Sequence, residues 1–479
     1  MLREGGNAFD AAVAAGFAAA VAEPALTSLG GGGFLLARTA SGCERLFDFF
    51  VDTPGRGRPP CNPQFLPVTV EFPGSSQVFN VGRGSVAVPG TLAGLLEVHR
   101  RLGRLRLSQV LAPAIRLARD GLRLDRQQAY FLSLLRPIMT LEAGGRALYA
   151  PGGRYLEEGS IYRNPDLARF LESLPENGPA ALYAGETAER IAADMASGGG
   201  LLTREDLAAY RVVERTPISG RYRGLRVATN PPPALGGGLL LVALELLGGA
   251  EWKCKGLQSP QRAVRMVAVM EETERLRGAG LRVPADLSSE VRRQAFERVR
   301  LATGGTTHVS VCDTFGNVAS MTTSNGEGSG YVVPGTGIML NNMMGEDDLH
   351  PDGFHASPPG QRIGSMMAPC LVLDGDRVVL VAGSGGSKRI RTALLQVLSN
   401  VIDLGLDLQA AVDAPRLHWD GACVQAETGF DERVLAALER RWAVNRWSVR
   451  DVYFGGVHAA APTGEAGGDP RRGGHVQRP

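Results

Sequence analysis

The sequence predicts an α/β protein in which two packed sheets carry helices on their outer faces. Two observations predict it. Through residue 302, apolar helical segments alternate with short strand-like runs. From Thr306 onward strand patterns dominate, in "HVSVCD", "NVASMTTS", "GYVV" and "CLVLDGDRVVLVAGS", divided by Pro- and Gly-rich loops. The 479 residues are 44% hydrophobic and 21% charged, which is ordinary for a globular chain with a large core. A formal net charge of +2 gives no footprint for nucleic acid or an anionic membrane.

The elements follow in order. In "MLREGGNAFDAAVAAGFAAAVAEP" Asn7 can cap a buried helix, Asp10 lies in its first turn, and Pro24 stops it. That helix is too short for a span of roughly 20 apolar residues, and Asp10 interrupts a signal-peptide reading. The expected location is therefore cytoplasmic for the chain as given, or periplasmic or secreted if its start is truncated. Residues 25–50 read as a hairpin. Residues 82–124 read as a strand and then helices broken at Gly103 and Pro113. Residues 125–215 are mainly helical. Residues 222–247 read as strand, proline corner, glycine turn and apolar helix. Helices are expected at 260–278, 286–302 and 389–404. The end after Arg472 reads as mobile. Six cysteines form no Cys-x-x-Cys pair and read as free thiols.

Several motifs carry no chemistry. "GGGG" at 30–33 runs into Phe34-Leu35-Leu36 rather than Gly-Lys-Ser/Thr, so it reads as tight packing and not as a phosphate loop. His350 and His355 with Asp347, Asp348 and Asp352 match no metal-ligand template. No Gly-x-Ser-x-Gly elbow is present. No metal and no organic cofactor are expected.

"TGGTTHVSVCDTFGN" (303–317) is different. If the chain is cut before Thr306, that residue gains a free α-amine with a pKa of roughly 7.7–8.0, a base beside its own hydroxyl. Gly304 and Gly305 would let the Gly305 carbonyl approach that hydroxyl for an N–O acyl shift. By itself the stretch is equally a loop entering a hairpin.

In the company of other motifs the chain resembles the γ-glutamyltransferase family of N-terminal-nucleophile hydrolases. "GGNAFDAAVAAGFAAAVAEP…GGGGFLL" (5–36), "GSVAVPGTLAGL" (84–95), "LAPAIRLARDG" (111–121), "GGLLTREDLAAY" (199–210) and "NPPPALGG" (230–237) are similar to its large subunit. "TTHVSVCDTFGN" (306–317) resembles its processing site. "PGTGIMLNNMM" (334–344), "GSGGSKRIR" (383–391), "VDAPRLHWDG" (412–421) and "GGDPRRGG" (467–474) resemble its small subunit.

The resemblance implies a four-layer αββα sandwich, cleaved between Gly305 and Thr306. The large subunit, 1–305, and the small subunit, 306–479, would stay together as a heterodimer in one compact unit. Thr306 is then the nucleophile, and the backbone N–H groups of Gly385 and Gly386 hold the oxyanion. Asn325, Glu346 and Ser365 match substrate contacts, to the glutamyl head group, its α-ammonium and its α-carboxylate. Thr323 or Ser324 matches the hydroxyl that bonds the nucleophile.

Two departures stand out. Met366 replaces the second of a serine pair. In "FDFFVDTPG" (47–55) Phe50 and Val51 replace the Arg-Glu of the usual Asp-Phe-Arg-Glu. The lost arginine would clamp the substrate carboxylate, and Phe50 offers no donor. Lys388, Arg389 and Arg391 are the candidates to replace its charge.

The expected activity is hydrolysis of γ-glutamyl amides of glutathione type through an acyl-threonine, favoured over transfer to amino acids or peptides. The rivals are a glutaryl or cephalosporin acylase, a poly-γ-glutamate hydrolase and, in another class, an uncut binding protein.

Overall fold

A computed structural model describes residues 1–58, 63, 65–72, 75–249, 256–278, 306–350, 353–354 and 356–478. The expected helix at 286–302 and the Gly305–Thr306 junction lie outside the described residues, as do Cys61 and Cys254.

Along the chain, helix α1 (Ala8–Ala22) leads into the hairpin β1 (Gly32–Arg38) and β2 (Glu44–Phe49). Helices α2 (Thr91–Leu102), α3 (Leu107–Asp120) and α4 (Pro165–Asn177) follow. Next come β3 (Val213–Arg215), β4 (Ile218–Tyr222), β5 (Leu225–Thr229), α5 (Gly236–Gly248) and α6 (Pro260–Gly278). Then come β6 (Thr307–Cys312), β7 (Val318–Ser324), β8 (Cys370–Asp374), β9 (Arg377–Gly385), α7 (Arg389–Leu404), β10 (Gly456–Ala460) and β11 (Ala466–Gly467).

The strands form two antiparallel sheets. One has the order β6-β7-β1-β2-β3, the other β11-β10-β9-β8-β5-β4. They pack face to face, β6 and β7 against β9 and β10. Helices α1 and α2 cover the first sheet, with α3 packed on α1, and α5 and α7 cover the second. The result is helix, sheet, sheet, helix. No described helix is long and apolar enough to cross a membrane.

Local chemistry explains the key pieces. Asn7 caps α1 by accepting from the backbone of Phe9 and Asp10, and the Asp10 carboxylate accepts from the Asn7 N–H at 2.9 Å. The glycine run at 30–33 lets β7 approach β1. A Cβ on Gly31 would stand 2.1 Å from the Ser324 carbonyl oxygen, and one on Gly33 2.4 Å from that of Thr322. Cys43, Cys312, Cys370 and Cys423 are free.

Three expectations need correcting. Pro113 does not break a helix: it sits inside α3, where packing on α1 and α4 outweighs the missing N–H. The expected strand near residue 83 is a short 3-10 turn, Arg83–Ser85. The glycines 236–238 are no turn but the first residues of α5, where a Cβ on Gly236 would stand 2.0 Å from the Met366 carbonyl.

His308 lies buried between the sheets, and His458 lies half-buried on β10. Burial pushes the His458 imidazole down to about 4 and holds His308 well below its usual value. On unfolding, each regains an ordinary pKa of ~6.5. Their neutral burial is therefore fully compatible with folding above that pH and costs stability as pH falls toward 4. For His458 alone this amounts to about 3 kcal/mol. A thermal melt at pH 4.5 is expected well below one at pH 7.5.

Candidate active site

Thr306 stands directly before β6, an edge strand of the first sheet that packs on the second, and is 3% exposed. Its carbonyl oxygen accepts from Arg472 Nη1 at 2.9 Å. The end of β9 comes equally close, since a Cβ on Gly385 would stand 1.8 Å from the same oxygen. Only glycine fits there. Gly386 follows with φ 120, and its carbonyl accepts from Arg389 N at 2.9 Å to open α7. The glycine pair thus lies where a strand delivers the chain to the N-terminus of a 16-residue helix. That end carries a positive dipole suited to developing negative charge.

Thr306 forms one wall of a small cleft. Its other polar walls are Ser324, Ser365, Ser387 and Glu346. The apolar walls are Phe50, Met343, Leu349, Met366, Met367 and Ile390. Four of the residues singled out from sequence therefore meet here: Thr306, Ser324, Glu346 and Ser365. Gly385, at the end of β9, adjoins Thr306 from the second sheet, and Gly386 follows it against Gly455.

Alternation along β7 separates the two candidate hydroxyls. Ser324 lines the cleft, whereas Thr323 Oγ1 accepts from Thr27 Oγ1 at 3.0 Å. Asn325 is not on the cleft wall. Its Nδ2 donates to the Leu340 carbonyl at 3.4 Å, and its Oδ1 is buried with no partner among the described residues.

Phe50 occupies the wall where the missing arginine was expected to act. Its ring stacks on Phe34 with centroids 5.5 Å apart. Its carbonyl accepts from the Tyr210 hydroxyl at 2.7 Å, and Arg362 braces the loop by pairing with Asp48 and Asp52. The proposed substitutes for the arginine do not line the cleft. Arg389 Nε donates to the Tyr453 carbonyl at 2.6 Å, and Arg391 pairs with Glu274 at 2.6 Å. Lys388 is buried at the cap of α7.

Two functional neighbours escaped the sequence. Glu23, at the end of α1, accepts from Thr307 Oγ1 at 2.6 Å. Burial raises its pKa, opposed by that hydrogen bond and by Arg472. A lone acid closing an apolar helix was the available signal. Arg472 itself is held by a buried network. Arg471 Nε donates to Glu427 at 2.7 Å, and Arg471 and Arg416 both pair with Asp469, at 3.2 and 2.6 Å. These guanidiniums draw the Asp469 carboxyl down to about 2 against the cost of its burial. The terminal motif is thus fixed in the core, and Gly474 N still bonds the Asp469 carbonyl at 2.7 Å, past the expected limit of order. Glu427→Ala leaves buried charge uncompensated and is expected to cost about 3–5 kcal/mol in a denaturant titration.

Two antiparallel sheets packed between helical layers, with a threonine heading an edge strand of one sheet beside the end of a strand of the other, define the N-terminal-nucleophile hydrolase class. Residues 1–478 match the family described as Gamma-glutamyltranspeptidase, and the chain belongs to that family of amide-bond enzymes. It is 35% identical to a glutathione hydrolase proenzyme of Escherichia coli (strain K12), over 92% of this chain and 82% of the relative. It is 34% identical to the Acylase ACY 1 proenzyme of Pseudomonas sp. (strain SE83), over 92% and 83%. Among solved structures, a cephalosporin acylase from Bacillus halodurans superposes with a TM-score of 0.83 at 30% identity, covering 99% of this chain and 92% of the other.

Proposed function

We propose that the chain is a self-processing amidase acting on γ-glutamyl-type amides, with Thr306 as nucleophile. The observation that carries this reading is Thr306 at the head of β6, lining a cleft with its carbonyl against Gly385. In maturation the Thr306 hydroxyl attacks the Gly305 carbonyl, the C–N bond breaks, and an ester forms. Water hydrolyses that ester, leaving a Gly305 carboxylate and a Thr306 α-amine, hence subunits 1–305 and 306–479.

In turnover the α-amine takes the Thr306 hydroxyl proton as the oxygen attacks the substrate amide. The Gly385 and Gly386 N–H groups stabilise the oxyanion. The amine passes its proton to the leaving nitrogen, and water then hydrolyses the acyl-threonine. Hydrolysis is favoured over transfer to an acceptor amine. Purified protein is expected to run as two fragments on a denaturing gel and to release p-nitroaniline from γ-glutamyl-p-nitroanilide. One intact band after long incubation would instead favour an uncut binding protein.

A second reading keeps the chemistry and changes the acyl group to glutaryl. Relatives named as acylases favour it. Release of p-nitroaniline from the γ-glutamyl and glutaryl anilides separates the two.

A further inference from the structure

Once cut, Thr306 is a chain end, and chain ends fray unless they are tied down. It also lies outside the ladder. β6 pairs with β7 only from Thr307 onward, and its other edge has no strand beside it.

Two charged side chains hold the point where the ladder stops. Arg472 Nη1 donates to the Thr306 carbonyl at 2.9 Å, and Glu23 accepts from Thr307 Oγ1 at 2.6 Å. Such charge-assisted bonds are roughly twice as strong as neutral ones. The two side chains come from opposite ends of the sequence, and a third element braces both. From the helix Arg126–Leu134, Gln128 Nε2 donates to the Ala22 carbonyl at 2.9 Å, next to Glu23. Its neighbour Gln127 donates through Nε2 to the Arg471 carbonyl at 2.8 Å, next to Arg472. Glu23, Arg472 and both glutamines line one pocket, and no described residue lines both it and the Thr306 cleft.

Strand alternation carries that grip to the nucleophile. His308, two residues on from Thr306, faces the second sheet, where a Cβ on Gly383 would stand 2.1 Å from its Cε1. Val309 and Val311 face the core built on α1. Thr307 belongs with them, and its hydroxyl ends at Glu23 at the foot of α1. The head of β6 cannot roll at Thr307 without turning Thr306 off the cleft wall.

We propose that Glu23 is a positioning residue for Thr306: with Arg472 it clamps the first peptide unit of the small subunit from the α1 side, and so aims the nucleophile in self-cleavage and in turnover. The proposal rests on the amidase reading and deepens it, because it gives a role to a side chain that does not line the cleft.

The test is steady-state kinetics with whichever of the two anilides the wild-type protein hydrolyses faster, beside gels that time self-cleavage. Glu23→Ala is expected to slow cleavage and to lower kcat by roughly 10²-fold, the scale of a nucleophile displaced by about 1 Å. KM is expected to stay within about threefold of wild type, because the cleft walls are untouched. Glu23→Gln keeps an acceptor for Thr307 and is expected to lose less. Thr307→Val removes the donor at nearly constant size and is expected to lose about tenfold in kcat. Thr307→Ser restores a hydroxyl and is expected to recover most of that loss. Partners in one bond act as a unit, so Glu23→Ala/Thr307→Val is expected within about threefold of Glu23→Ala alone.

Wild-type kcat in a cut Glu23→Ala overturns the proposal and leaves the amidase standing. So does Thr307→Ser as impaired as Thr307→Val, or a loss confined to KM. If Glu23→Ala does not fold, the two Thr307 variants decide by the same readings. Wild-type protein that neither cuts itself nor hydrolyses either anilide overturns the amidase reading and this proposal with it.

Discussion

Thr306→Ala is expected to leave the chain as one polypeptide and to lower anilide hydrolysis by about 10⁴-fold or more. The loss is large because one residue does two jobs. Its hydroxyl opens the Gly305–Thr306 bond and later forms the acyl-enzyme, and its nitrogen is the base only after the first event. A methyl side chain removes both. Thr306→Ser keeps a hydroxyl at the same place and is expected to retain cleavage and partial activity. The contrast matters, since an uncut Thr306→Ala would also suit a protein that never processes. A gel of the two variants beside wild type, with p-nitroaniline release, measures the effect.

Gly385→Ala is expected to remove activity nearly as completely for a different reason. The new methyl would stand 1.8 Å from the Thr306 carbonyl oxygen, well inside contact, with the Arg472 guanidinium carbon 3.2 Å away. Either β6 shifts from β9 or the end of β9 bends. Both move the nucleophile relative to the oxyanion donors, and loss of one such donor alone costs roughly 10²–10³-fold in kcat. Gly386→Ala adds backbone strain at φ 120 and a contact 2.8 Å from the Gly455 Cα. Gly375→Ala is the control. Gly375 also has positive φ, at 57, but a Cβ there meets nothing within 4 Å. It is expected to cost about 1 kcal/mol of stability and to leave catalysis intact.

The parts of this fold written in local chemistry were legible. Asn7, Asp10 and Pro24 bracket α1 by capping and by helix termination, and α7 follows its amphipathic spacing at the expected bounds. The alternation of β7 was legible too, but not which of Thr323 and Ser324 faces the cleft. That depends on the register of β7 against β1, which pairs residues far apart in the chain and is written in no local pattern. Arg472 and Glu23 escaped because their roles are made by distant contacts: Arg472 reaches Thr306 across 166 positions, and Glu23 reaches Thr307 across 284. No spacing along the chain encodes such pairs. Pro113 misled because a local rule about helix interiors yielded to packing on α1 and α4. The most informative residue, Phe50, was visible as a departure from sequence alone. Its meaning needed the cleft, where the ring replaces a charge rather than standing elsewhere.

The central claim is that a peptide bond opens to make Thr306 an N-terminus with its own base. N-terminal sequencing of the catalytically active protein tests it most directly. The account predicts two chains held together, the smaller beginning Thr-Thr-His. Full amidase activity in a protein whose only N-terminus is that of the uncut chain would contradict it.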